Sequence, residues 1–218
     1  MKNYLSASIL AANFADLKSE IDAVMAAGVD YIHFDVMDGH FVPNLSFGAP
    51  VCASLRKAGV NAPIDVHLMV TDPQNYIEPF QKAGANLLIF HEEVVNDTHA
   101  MIKKIKAAGM QVGIAYNPET EFKIKPEILA DVNLILIMTV KPGFAGQHFM
   151  PSCLEKIKQA RRMIDAAKLN TILAVDGGIK IDNIKMVKEA GANFFVVGSG
   201  LFSANDYYEC VARLRSEL

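Results

Sequence analysis

Five Ala-Gly pairs punctuate the chain, and they constrain its fold more than any other feature. Each pair follows a stretch rich in Ala, Lys and Glu and precedes an apolar run. Glycine readily adopts the left-handed conformation that ends a helix, so each pair predicts a helix followed by a strand. The pairs end at Gly28, Gly59, Gly84, Gly109 and Gly191. The first four are 25–31 residues apart, and the gap before the fifth leaves room for about two more units. Such spacing is typical of βα units and parallel strands.

Eight short runs rich in Val, Ile and Leu predict strands that are covered on both faces. The predicted strands are 4–10, 30–36, 64–70, 87–91, 111–116, 134–140, 171–176 and 194–198. Helical patterns lie between and after them, at 16–27, 50–58, 74–83, 98–108, 123–130, 152–167, 181–190 and 204–216.

Eight βα units match the closed (β/α)8 TIM barrel. The alternative is a doubly wound open sheet, but it normally has five or six strands, and no GxGxxG follows the first strand. No linker or shift in composition marks a second domain, and the 51% hydrophobic content can fill a large core. We therefore predict that residues 1–218 form a single α/β TIM-barrel catalytic domain.

Charge and composition exclude several classes of protein. A net charge of −3 argues against a nucleic-acid binder, which normally carries a basic stripe. No apolar run reaches the roughly 20 residues of a membrane span, and residues 1–5 do not resemble a signal peptide. The three cysteines are far apart and lack CxxC spacing, so we interpret them as reduced thiols and expect a cytoplasmic protein.

Polar residues interrupt the apolar strands at their carboxyl ends, where barrels carry their chemistry. His33 and Asp35 are two residues apart and share a strand face, and His67 and Asp176 end two other strands. Two imidazoles and two carboxylates suit Zn²⁺, Fe²⁺, Mn²⁺ or Co²⁺ without distinguishing them. A lone histidine in a strand is usually a hydrogen-bonded core residue, but four such residues at three strand ends indicate a metal site.

Glycine-rich segments follow the last three predicted strands. They are residues 141–146, Gly177-Gly178 and Gly198-Ser199-Gly200. Loops after strands seven and eight of barrels commonly bind phosphate through backbone N–H groups. One glycine pair is more often a simple turn, but several sets at one end of the barrel favour a phosphate site.

Several segments resemble the ribulose-phosphate 3-epimerase family. They are HFDVMDGHFVPN at 33–44, DVHLMV at 65–70, MTVKPGFAGQ at 138–147, VDGG at 175–178 and VGS at 197–199. The resemblance runs from Ser8 to the last helix. It implies an isomerase that interconverts D-ribulose 5-phosphate and D-xylulose 5-phosphate through a metal-stabilised enediolate at C3. It further implies a homo-oligomer, either a dimer or a hexamer.

The resemblance also assigns roles to individual residues. One divalent metal ion per subunit is implied on His33, Asp35, His67 and Asp176, with Asp35 and Asp176 as the catalytic acid/base pair. Ser8, His67 and Asp176 are implied to contact the phosphorylated ketopentose. The implied phosphate-binding residues are Gly143, Phe144, Ala145, Gly146, Gly177, Gly178, Gly198 and Ser199, and the supporting methionines are Met37, Met69 and Met138.

Two departures in the sixth loop and three rivals accompany this resemblance. The family usually has Asn-Pro-Gly-Phe-Gly-Gly in the sixth loop, whereas this chain has Lys141 first and Ala145 fifth, and we expect the Ala145 Cβ to restrict that loop. The nearest rival is an epimerase of a six-carbon substrate such as allulose 6-phosphate. The others are a non-catalytic phosphosugar-binding barrel and a decarboxylase, which would use lysine–aspartate arrays. We interpret His91, at the end of the fourth strand, as structural or as a rim residue.

Overall fold

The computed structural model describes residues 2–218, and these residues form eight parallel strands in a closed barrel. The strands are β1 (Tyr4–Ser8), β2 (Tyr31–Met37), β3 (Ile64–Met69), β4 (Leu87–His91), β5 (Gln111–Tyr116), β6 (Leu134–Met138), β7 (Ile172–Asp176) and β8 (Phe194–Val197). Each strand pairs with the next along the chain, and β8 returns to pair with β1. The prediction of a TIM barrel is confirmed.

Helices connect the strands on the outside of the barrel. They are α1 (Leu17–Ala26), α2 (Ala49–Lys57), α3 (Ile77–Lys82), α4 (Thr98–Ala107), α5 (Pro126–Asp131), α6 (Leu154–Ala166), α7 (Ile184–Glu189), α8 (Ser199–Phe202) and α9 (Tyr207–Ser216). The four-residue α8 and a 3-10 turn at Ile9–Ala11 were not predicted, and that turn ends β1 two residues early. Within residues 2–218, no helix combines the length and apolar character needed to cross a bilayer.

The Ala-Gly pairs end helices as the sequence predicts. All five glycines have positive φ, and each donates its N–H to the carbonyl three residues earlier, at 2.8–3.0 Å. The missing pairs have a structural explanation. Lys168 replaces glycine after α6, with φ 55° and an N–H that donates to Asp165 at 3.0 Å. After α5 the chain instead becomes extended at Val132, so no left-handed residue is needed.

The alternating pattern of each strand separates two cores. Ile32, Phe34 and Val36 of β2 face outward and pack with residues of the surrounding helices. Inward-facing residues such as Leu134 and Phe194 belong to a smaller apolar cluster in the barrel interior. Because side chains alternate along a strand, the residues between the outward-facing ones in β2 must point into the barrel. That position brings the polar residues of β2 to the barrel axis.

Candidate active site

The pairing of β2 with β3 creates two layers of polar side chains inside the barrel. His33 lies beside Asp65 in the lower layer, and Asp35 lies beside His67 in the layer above. Met37 and Met69 form the next layer towards the open end. The residues of both polar layers are almost completely buried. A shift of one residue in this register would turn the polar side chains of one strand towards the helices.

Four of these inward-facing residues form a group that could hold a metal ion. His33, Asp35, His67 and Asp176 each offer one ligand atom, and these atoms all lie within 4.8 Å of one another. His33 Nε2 and His67 Nδ1 are each 3.2 Å from Asp35 Oδ1 and 3.8 Å from Asp176 Oδ2. The predicted convergence of three strand ends at one site is therefore present in the structure.

His33 has one engaged and one unengaged ring nitrogen. Its Nδ1 contacts the Asp65 carboxylate, which also accepts a hydrogen bond of 2.7 Å from the Ser6 hydroxyl. Its Nε2 is buried 3.2 Å from Asp35 but makes no hydrogen bond to any residue that the structure describes. An unpartnered buried nitrogen that faces three other ligand-type residues fits a metal-binding site.

His67 is supported by a chain of residues that the sequence analysis did not assign to the site. His67 Nε2 lies 2.9 Å from His91 Nε2, and His91 Nδ1 lies 3.1 Å from Glu93 Oε2. The backbone N–H of Asn117 donates to the other oxygen of Glu93 at 2.7 Å. His91 is completely buried and is therefore not a rim residue. The signal in the sequence was the His-x-Glu spacing at the end of β4, where His91 points into the barrel.

Burial and close contact shift the pKa values of the four clustered residues in different directions. Burial lowers the pKa of His33, but the Asp35 and Asp65 carboxylates outweigh it and raise that pKa well above its usual value. Burial opposes ionisation of Asp35, yet contacts with His33 and His67 hold its pKa far below the usual range. Burial also lowers the pKa of His67. Burial and the nearby Asp35 charge raise the pKa of Asp176 to about 7.

His91 is also kept neutral by its surroundings. Burial lowers its pKa to about 4, although Glu93 acts in the opposite direction. The pKa of Glu93 is lowered to about 2, because hydrogen bonds from His91 and its neighbours outweigh the effect of burial. The pair therefore consists of a neutral imidazole beside a carboxylate at neutral pH.

A cavity at the carboxyl end of the strands brings together most of the residues predicted from the sequence. Neither His33 nor His67 lines this cavity, because both are completely buried beneath it. The predicted residues that line it are Ser8, Asp35, Met37, Met69, Met138, Gly143, Phe144, Ala145, Gly146, Asp176, Gly177, Gly178, Gly198 and Ser199. The hydroxyl of Ser8 donates to Asp35 Oδ2 at 2.7 Å.

The loops around this cavity depend on glycine at two positions after β7. Gly177 and Gly178 have φ values of 121° and 68°, which favour glycine. A Cβ on Gly177 would lie 2.8 Å from the Val140 backbone nitrogen, and one on Gly178 would lie 2.3 Å from the Phe149 nitrogen. No side chain fits at either position, so the backbone itself forms this part of the cavity wall.

The backbone of the β6 loop is unstrained at Ala145. Lys168 is the one non-glycine residue of the described chain with positive φ, so Ala145 is not in the left-handed region. Ala145 is also exposed, and its Cβ therefore imposes no strain on the loop. The side chain of Asn44, in the β2 loop, donates to the Gly143 carbonyl at 2.7 Å and so joins the β2 and β6 loops.

Comparison with solved structures supports the fold. A crystal structure of 3-hexulose-6-phosphate synthase from Salmonella typhimurium has a TM-score of 0.72 at 19% identity, covering 100% of this chain and 98% of that one. A crystal structure of KGPDC from Streptococcus mutans has a TM-score of 0.73 at 14% identity, covering 99% of this chain and 96% of that one. At these identities the likeness concerns the barrel alone.

Comparison at the sequence level is more specific. The model of the ribulose-phosphate 3 epimerase family matches residues 4–202. The chain is 46% identical over 217 residues to a ribulose-phosphate 3-epimerase from Buchnera aphidicola, covering 100% of this chain and 95% of that protein. It is 43% identical over 219 residues to the protein of that name from Escherichia coli K12, covering 100% of this chain and 97% of that protein. The chain therefore belongs to the ribulose-phosphate 3-epimerase family and is an epimerase of that type.

Proposed function

We propose that the protein interconverts D-ribulose 5-phosphate and D-xylulose 5-phosphate by proton transfer at C3, with Asp35 and Asp176 as the two acid/base groups. Epimerisation beside a ketone removes a weakly acidic C–H proton, passes through an enediolate and returns a proton to the opposite face. The observation that carries the proposal is a pair of carboxyl groups, from β2 and β7, that line one cavity.

The two carboxyl groups also differ in the way that such a reaction requires. The pKa of Asp35 is held low despite its burial by His33 and His67, whereas burial and the Asp35 charge raise that of Asp176 to about 7. One group is thus favoured as a carboxylate and the other as a carboxylic acid, which is the pairing that suits a base and an acid. In one direction Asp35 removes the C3 proton and Asp176 donates its own proton to the opposite face, and the roles exchange in the reverse direction.

We propose that one divalent cation per chain binds to His33, Asp35, His67 and Asp176. The support is the donor set: two imidazole nitrogens and two carboxylates within 4.8 Å, including the buried and unpartnered His33 Nε2. Zn²⁺, Fe²⁺, Mn²⁺ and Co²⁺ all suit such ligands. When bound, the cation would act as a Lewis acid that stabilises negative charge on the substrate's oxygens.

We further propose that backbone groups hold the substrate's phosphate. None of the described residues that line the cavity is a lysine or arginine, whereas glycines from the loops after β6, β7 and β8 surround it. The residues proposed for this role are Gly143, Phe144, Ala145, Gly146, Gly177, Gly178, Gly198 and Ser199. Ser8 and His67 are proposed to contact substrate oxygens, and Met37, Met69 and Met138 to form the apolar wall around the reacting carbons.

Substitution of the two aspartates tests the mechanism. Asp35→Asn and Asp176→Asn should each lower kcat by roughly 10²–10⁴-fold, the usual contribution of a positioned acid or base. Circular dichroism should show that both variants remain folded. In deuterium oxide the wild-type product should carry deuterium at C3. Near-normal turnover in either variant, or a product that retains its original hydrogen, would show that this two-base mechanism is wrong.

A substrate comparison separates the proposed activity from its nearest rival. Ribulose 5-phosphate should be turned over with a higher kcat/KM than allulose 6-phosphate, and metal analysis should find one divalent ion per chain. Preference for the six-carbon substrate would assign the chain to the rival activity. A protein without bound metal and without turnover would instead favour a phosphosugar-binding role.

We also propose that the chain is one catalytic domain of a cytoplasmic homo-oligomer, either a dimer or a hexamer. The support for an oligomer is the exposure of apolar side chains such as Phe14 and Leu45, which are 50% and 71% exposed. Cys52, Cys153 and Cys210 are all buried free thiols, which fits a reducing compartment. Light scattering on the purified protein would determine the number of chains.

A further inference from the structure

His67 is in contact with two different partners through its two ring nitrogens. Nδ1 is hydrogen-bonded to Asp35 Oδ1 at 3.2 Å, inside the cluster of ligand-type residues. Nε2 lies 2.9 Å from His91 Nε2, on the side of β4, and the two rings stack with their centroids 5.0 Å apart. Both imidazoles are completely buried, so no bulk water competes for these contacts.

The contact between the two imidazoles holds a single hydrogen. Two ring nitrogens 2.9 Å apart must be one donor and one acceptor. If His67 donates through Nε2–H, its Nδ1 carries a lone pair towards Asp35 and Asp176. If His91 donates instead, neutral His67 carries its hydrogen on Nδ1, and that nitrogen cannot bind a cation.

Glu93 determines which of the two directions is favoured. Its Oε2 lies 3.1 Å from His91 Nδ1, and its Oε1 accepts the Asn117 backbone N–H at 2.7 Å. An ionised carboxylate only accepts hydrogen bonds, so His91 Nδ1 must be the donor. His91 Nε2 then has the lone pair that accepts the hydrogen of His67 Nε2. This chain favours an unprotonated His67 Nδ1, whereas the Asp35 carboxylate, at hydrogen-bond distance from that nitrogen, favours a hydrogen on it until a cation takes its place.

We propose that His91 and Glu93 are positioning residues that hold His67 in the tautomer whose Nδ1 is free to bind a divalent cation. The inference rests on the proposed metal site. Histidine ligands usually donate their second nitrogen directly to a carboxylate or carbonyl, as His33 Nδ1 does to Asp65. For His67, the imidazole of His91 lies between the proposed ligand and the Glu93 carboxylate.

Glu93→Gln is the variant that tests the direction of this hydrogen-bonded chain. The Asn117 N–H would still donate to the side-chain oxygen of the new amide. The amide NH₂ would therefore face His91 Nδ1. His91 would then donate through Nε2, and His67 would move its hydrogen to Nδ1. Glu92→Gln is the matched control, because it removes the same charge one residue away. The Glu92 carboxylate accepts a hydrogen bond from the Thr98 hydroxyl at 3.0 Å and not from His91.

Two readouts on the full-length chain are needed, and neither is enzyme activity. Long-range ¹H–¹⁵N NMR correlations report the tautomer of His67 in metal-free chains that carry Asp35→Ala, which removes the competing carboxylate, whereas the affinity measurement keeps Asp35. Competition with a chromophoric chelator gives the affinity for Zn²⁺. In the Asp35→Ala background we expect His67 to be Nε2–H when both glutamates are intact and in Glu92→Gln, and Nδ1–H in Glu93→Gln. The affinity for Zn²⁺ should fall roughly 10- to 100-fold in Glu93→Gln, the usual effect of losing such a partner, and stay unchanged in Glu92→Gln.

His91→Phe supplies a second test if Glu93→Gln does not fold. It keeps a stacked ring but removes the acceptor of His67 Nε2–H, and it should weaken Zn²⁺ binding similarly. An unchanged His67 tautomer in Glu93→Gln, or equal loss of affinity in both glutamine variants, overturns the inference. A wild-type chain that binds no zinc overturns the metal site and this inference together. Zinc binding without epimerisation overturns only the proposed function.

Discussion

Replacing Lys168 with glycine should stabilise the protein, because this lysine occupies a turn position that glycine occupies after five other helices. Its φ of 55° places a residue with a Cβ in the left-handed region. That conformation costs a non-glycine residue about 1–2 kcal/mol. Its side chain is exposed, so the substitution removes no buried contact.

The size of the expected gain follows from two opposing effects. Relief of the left-handed conformation contributes about 1–2 kcal/mol, and the greater freedom of glycine in the unfolded chain subtracts about 0.4–1 kcal/mol. The midpoints of the two ranges leave a net gain of about 0.8 kcal/mol. In a chain of this size that gain corresponds to a rise in Tm of about 2–3 °C. Gly109→Ala should show the reverse change, since its φ is 77° and an added Cβ would meet nothing within 4 Å.

Urea unfolding measures both effects, with an unchanged m value as the check that the unfolding reaction is the same. Lys168→Ala is the matched control, because it removes the same long side chain but keeps the Cβ. Its midpoint should stay close to that of the wild type. Equal stabilisation by alanine and glycine, or no gain with glycine, would refute the argument from backbone conformation.

Three further predictions concern the site and its loops. In the metal-free protein, burial and the Asp35 charge raise the pKa of Asp176 from 3.8 to about 7. Folding therefore favours its protonated form, and the stability that this form contributes is present below about pH 4 and lost as the pH rises to about 7. Urea unfolding in EDTA should therefore show the wild type losing stability relative to Asp176→Asn across this range; parallel pH curves would contradict the assignment. Asp65→Leu should lower the free energy of unfolding by about 3–5 kcal/mol, because it leaves buried His33 without its partner. A decrease of less than about 1 kcal/mol, measured by urea unfolding, would be inconsistent with this. Asn44→Ala should accelerate proteolysis within the β6 loop by releasing Gly143, whereas an unchanged cleavage rate would show that the 2.7 Å bond does not restrain the loop.

The strands were the most predictable part of the fold. The observed bounds of β4 and β5, Leu87–His91 and Gln111–Tyr116, coincide with the predicted ones. These segments are apolar runs bounded by polar or turn-forming residues, so the local sequence defines both ends. The short helix Ser199–Phe202 was missed because four residues carry too little periodicity to be recognised.

The group of ligand-type residues was predictable because each member sits at the inward face of a strand near its carboxyl end. The period of two along β2 places His33 and Asp35 on one face, and barrel closure brings β7 to the same axis. The contact between His67 and His91 was not predictable in the same way. It depends on ring orientations across two strands, which strand periodicity does not specify.

The closure of β8 onto β1 has a consequence for the protein during its synthesis. Asp35 and Asp176 are 141 positions apart (176 − 35), and Ser6 of β1 pairs with Val196 of β8. A nascent chain that still lacks β7 and β8 therefore contains the histidines and one aspartate but neither a complete ligand set nor a closed barrel. Contacts of such high sequence separation form slowly, because loop closure must precede them. The growing chain should acquire the capacity for epimerisation, and for the proposed metal binding, only after β7 and β8 have left the ribosome.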